Sequence, residues 1–134
     1  MATRTMVYVG RDRVQVGPWK VTGTTANLIP YPERDRLSVD AVHKALDEAV
    51  GRGFTSGYTA ALSPSQAEPF FEAGFVLHEE LHLLRRELGD EVNVTRGATR
   101  RARRIDWDEV LELDALAFQD FWQFDRVALA DAVR

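Results

Sequence analysis

The sequence predicts an α/β domain, on three observations. Residues 6–29 are β-prone and alternate with a period near two. Val39, Val42, Leu46 and Val50 recur at three- and four-residue spacing, with Ala45 and Ala49 beside them, as on an amphipathic helix. From Ser38 onward the patterns run helix, strand, helix, strand, the order of an α/β layer.

Each element has its own residues. Met6-Val7-Tyr8-Val9 is a first strand and Gly10-Arg11-Asp12-Arg13 a turn. In the second strand Val14, Val16 and Pro18 alternate with Gln15, Gly17 and Trp19. A third covers residues 25–29, and Pro30 and Pro32 are expected to stop it and open a loop over 31–36. Ser38 caps a helix over 38–50, Asp40 lies in its favourable first turn, and Gly51 and Gly53 end it. Residues 54–62 form a short strand. Ser63 caps the next helix, 64–73, Pro64 sits at its first position and Gly74 ends it. Residues 75–88 follow as a final strand. Residues 106–134 read as helical, with Asp106 and Glu109 at capping-box spacing and an apolar stripe of Val110, Leu113, Leu116 and Ala117. Phe118, Phe121, Trp122 and Phe124 make a dense aromatic cluster, and Asp125 caps a last helix running through Val133.

Bulk properties narrow the class. The 134 residues suffice for one domain with a core, 45% are hydrophobic and 28% are charged. The net charge of −4 gives no bulk field to recruit nucleic acid. No cysteine is present, which excludes disulfides, thiolate nucleophiles and Cys-ligated metals. No apolar run reaches membrane-spanning length and the N-terminus lacks a signal-peptide core, so a cytoplasmic protein with neither membrane nor nucleic-acid partners is expected.

The stretch Ser63-Pro64…Ala67…Phe70…Gly74-Phe75 resembles the late helix of the GNAT N-acetyltransferases, Asn-Pro-x-x-Ala-x-x-x-Tyr-x-x-x-Gly-Phe. The resemblance implies a GNAT-like mixed sheet with flanking helices, a strand at 75–87, and acyl transfer from acetyl-CoA to an amine. In the family the Tyr is often the general acid toward departing coenzyme A. Phe70 stands there without a hydroxyl, so no catalytic residue is assigned. The family's Gln/Arg-x-x-Gly-x-Gly/Ala pyrophosphate loop falls on Glu33, Arg36 and Ser38, with both glycines missing. Arg34, Arg36 and Ser38 remain as candidate cofactor-binding residues. The chain is further similar to tandem GNAT proteins of the actinobacterial type, in which a degenerate first half precedes an intact second. Arg101-Arg103-Arg104…Asp106…Leu113-Asp114…Phe118…Phe121-Trp122…Phe124-Asp125 resembles the start of that second half. The implied organisation is a degenerate GNAT-like domain (1–88), a basic linker (89–104) and the helical start of a truncated second half (105–134). Little or no acetyltransferase activity is expected.

Two other readings stand beside this one. One is a noncatalytic interaction module, a homodimer or a partner for the missing half, using Phe118, Phe121, Trp122 and Phe124. The other is a zinc hydrolase, because His78-Glu79-Glu80-Leu81-His82 spells H-E-x-x-H. Zinc needs a helix there: the two His are then about 6 Å apart along the axis, on one face. On a strand they lie roughly 13 Å apart. Residue types in 75–87 favour a helix and the resemblance a strand; no metal is assigned. The basic run Arg96, Arg100, Arg101, Arg103 and Arg104 is read as solvated linker charge.

Overall fold

The computed structural model describes residues 3–20, 23–31, 36–82, 84–87 and 97–133. The chain divides into two compact units, Met1–Leu81 and His82–Arg134.

The first unit is α/β. Its strands are β1 (Thr5–Val9), β2 (Asp12–Pro18), β3 (Thr25–Tyr31) and β4 (Ser56–Thr59), and its helices are α1 (Val39–Gly51) and α2 (Pro64–Glu72). They form one mixed sheet in the order β1-β2-β3-β4. The first two pairings are antiparallel, and β3 pairs with β4 in parallel across the α1 crossover. Period-two alternation sends Val7, Val14, Val16, Ala26 and Leu28 to one face. There they pack with Leu37, with Ala41, Val42, Ala45 and Ala49 of α1, and with Phe70 of α2. Both helices thus serve one face of the sheet.

Proline does not stop β3 where the sequence suggested. Pro30 pairs with Val14, and the strand continues to Tyr31. The β3–β4 ladder ends at Leu28↔Thr59, so no partner on that side requires the N–H that Pro30 lacks. Pro18 likewise lies past the last β1–β2 pair, Thr5↔Val16.

The two helices end by the same device. Gly53 (φ 86°) and Gly74 (φ 92°) take the left-handed conformation just past α1 and α2. Phe54 N–H then donates to Ala49 O at 3.0 Å, and Phe75 N–H to Phe70 O at 2.9 Å. Arg52 ties the end of α1 to the sheet, donating through Nη1 to Val16 O at 2.9 Å and Thr5 Oγ1 at 3.3 Å. At its start α2 has a full capping box: Gln66 N–H donates to Ser63 Oγ and Ser63 N–H to Gln66 Oε1.

The final strand is not formed. Among the described residues 75–87 carry neither strand nor helix, and β4 pairs only with β3. Alternating side chains supply only half of a strand; the other half is a neighbour able to complete the ladder.

In the second unit a 3-10 turn, Arg104–Asp106, leads into α3 (Trp107–Ala117), and α4 (Arg126–Ala132) follows a tight connection. The Asp106–Glu109 capping box is absent: the Asp106 side chain caps nothing in α3. Its carboxylate instead turns back, accepting from Arg103 N–H at 2.7 Å and from both Arg100 guanidinium nitrogens at 2.7 and 2.8 Å. Asp125 caps α4 as expected, accepting from Ala128 N–H at 2.7 Å. Residues 89–96 of the expected linker lie outside the described residues, and 97–103 have no regular structure.

Candidate functional site

Of the three candidate cofactor residues, Arg36 and Ser38 lie at the start of α1, where unpaired N–H groups and the helix dipole favour an anion. Arg34 and Glu33 lie outside the described residues. Ser38 is the N-cap, and its hydroxyl accepts from Ala41 N–H at 3.3 Å. Its own N–H donates to Asp12 Oδ2 at 2.9 Å. A carboxylate of this chain therefore stands at the position from which a phosphate would approach.

Arg36 is turned toward α2. Its Nη1 pairs with Glu68 Oε2 at 2.9 Å and its Nη2 with Glu72 Oε1 at 3.1 Å. The two carboxylates lie four residues apart on one helix face, spaced to take one guanidinium fork. The side chains are about half exposed, so the clamp fixes where Arg36 points more than it stabilises the fold. Arg36 and Ser38 thus both have partners within the chain.

Phe70, at the family's Tyr position, is 2% exposed in the core and meets Phe75 edge-on at 5.3 Å between ring centroids. It offers neither a proton nor access to one. In the H-E-x-x-H stretch the described backbone is not helical, so the spacing does not put His78 and His82 on a common helix face. His78 packs edge-on against Tyr58 of β4 at 5.0 Å. Among the described residues no group of three or more His, Cys, Asp or Glu is placed to hold a metal ion.

The aromatic cluster of the second unit is held mostly outward. Gln123 Nε2 donates to Phe118 O at 2.8 Å and Ala115 O at 3.2 Å, closing the end of α3. Asp114 Oδ2 accepts from Phe124 N–H at 2.7 Å. These bonds pin the connection and leave Phe118, Trp122 and Phe124 exposed, while Phe121 packs edge-on against Trp122 at 4.9 Å. In the basic run Arg100 is committed to Asp106, and Arg104 lies over the Trp107 ring. The Arg100 hydrogen bond, then that from Arg103 N–H, holds the Asp106 carboxyl well below the usual carboxylate range.

Sequence reasoning missed Asp12. It reads locally as a turn residue, and its partner Ser38 is 26 positions away. Comparison with protein-family models, with curated proteins and with solved structures finds no match to this chain. No helix among the described residues is long and apolar enough to cross a membrane.

Proposed function

We propose that the first unit is a GNAT-like scaffold that does not carry out acyl transfer and serves as a noncatalytic module. An antiparallel meander entering a parallel β3–α1–β4 crossover, followed by a helix ending in Gly-Phe, supports the scaffold half of the reading. The contact of Asp12 with Ser38 N–H carries the noncatalytic half. A pyrophosphate approaching the α1 N-terminus meets a fixed carboxylate, and like charges at hydrogen-bond range repel. The missing loop glycines, the Arg36 clamp on α2 and the buried Phe70 agree with it. Under the same reading the exposed Phe118 and Phe124 of the second unit serve as an apolar surface for a partner.

Calorimetric titration with acetyl-CoA tests this. The expected outcome is no heat of binding up to millimolar ligand, with Asp12→Asn gaining weak binding as the carboxylate charge is removed. Micromolar binding by the unmodified chain overturns the proposal and makes Arg34 and Arg36 the next residues to substitute.

A further inference from the structure

The face of the sheet turned away from α1 has a composition unlike the rest of the chain. The pairing register reads it off in rows. Tyr8, Arg13 and Tyr31 form one row across β1, β2 and β3. Met6, Gln15 and Ile29 form the next. Gly17, Asn27 and Tyr58 form a third across β2, β3 and β4, and Thr25 with Ser56 begins a fourth. The stem of Arg4 lies over Gly17, where any β-carbon would come within 2.8 Å of Arg4 Cγ. Trp19 packs beside Tyr58 at 5.8 Å between rings. None of these positions is Asp or Glu.

We propose that this face binds single-stranded RNA. The charge is complementary: Arg4 and Arg13 are exposed and enter no ion pair among the described residues. The net charge of −4 describes the whole chain; the strand positions of this face hold no carboxylate, and His78 packs at its β4 end against Tyr58. The aromatics are placed for stacking: Tyr8 is 58% and Tyr31 50% exposed, one on each side of Arg13. With β2 between them the two rings stand about 10 Å apart, at roughly 4.8 Å per strand. Two bases can stack on them while Arg13 meets the phosphates that join them.

The remaining rows supply hydrogen-bonding groups. Gln15 and the Thr25–Ser56 hydroxyl pair (2.9 Å) add donors and acceptors of the kind that recognise base edges and a 2′-hydroxyl. A broad sheet face does not enter a duplex groove, which admits a helix or a two-stranded ribbon, so the occupant is single-stranded. This surface lies opposite the α1 side of the sheet and does not depend on whether acetyl-CoA binds.

Fluorescence anisotropy of labelled octauridylate with the full chain tests the proposal, with octathymidylate and an RNA duplex as comparison ligands. Saturable binding of octauridylate is expected, several-fold tighter than either comparison ligand. Tyr8→Ala and Tyr31→Ala should each weaken it about 5-fold or more, the loss of one stacked base. Arg13→Gln should lower the slope of log affinity against log salt by about 0.7. All three positions are exposed, and circular dichroism confirms that the variants fold. No binding at millimolar protein, or equal binding of octathymidylate, overturns the proposal. So does a loss confined to Arg101→Gln and Arg103→Gln, which would assign the binding to the basic run instead of the sheet.

Discussion

Asp12 and Asp106 show how much a single carboxylate decides in this chain. Both are acidic residues at turns, and each accepts a backbone N–H near the start of a helix: Asp12 from Ser38, Asp106 from Arg103. They differ in range. Asp106 bonds within six residues, so its surroundings are local, and they hold its carboxyl below the ordinary range, chiefly through Arg100. Because the folded group ionises at lower pH than in the unfolded chain, its pairing contributes fully at neutral pH. That contribution is full above the unfolded carboxylate pKa and is lost progressively as pH falls from there through the depressed folded value. An NMR titration of the Asp106 side-chain carbon should therefore show its midpoint below about 3.9, the unperturbed value, and Arg100→Ala should raise it. A midpoint at the ordinary value in the unmodified chain would mean that the Arg100 fork does not persist in solution.

At the scale of the element, helix ends were more legible than strands. Ser38, Ser63, Gly53 and Gly74 could be read directly, since a cap depends on a few neighbouring residues and on a left-handed φ that glycine reaches at least cost. Gly53→Ala and Gly74→Ala should each destabilise the first unit by about 1–2 kcal/mol in urea unfolding, because the β-carbon is strained at positive φ. Open space around both positions makes that strain, and no steric clash, the cause. The 75–87 stretch could not be read this way. Its leucines suit a helix and a strand alike, and its described residues form neither, because no neighbouring strand among the described residues takes their backbone bonds. Pro30 shows the converse: a residue that ends most strands is tolerated where β4 does not reach.

Over the whole molecule the chain separates into an α/β unit and a helical unit. Between their regular elements lie 73–103, including the exposed Arg85 and Arg86 and the arginines near 100. Limited trypsin digestion should cut first within 85–104, sparing Arg13 and Arg52, which sit in or against the sheet. An early cut at Arg52 would mean that the first unit opens as readily as the connecting stretch.

The sequence by itself determined the α/β class, the positions of α1 and α2, their caps, and the glycines that end them. These follow from periodicity and from bonds spanning three to six residues. Of the candidate site it supplied the names Arg36 and Ser38 but not their partners. Only the tertiary structure decided that Asp12 reaches Ser38 N–H, that Arg36 is held by Glu68 and Glu72, and that Tyr8, Arg13 and Tyr31 form one row. Those relations join residues that are distant in sequence, and pairing register, which sets which side chains share a face, exists only once the strands have met.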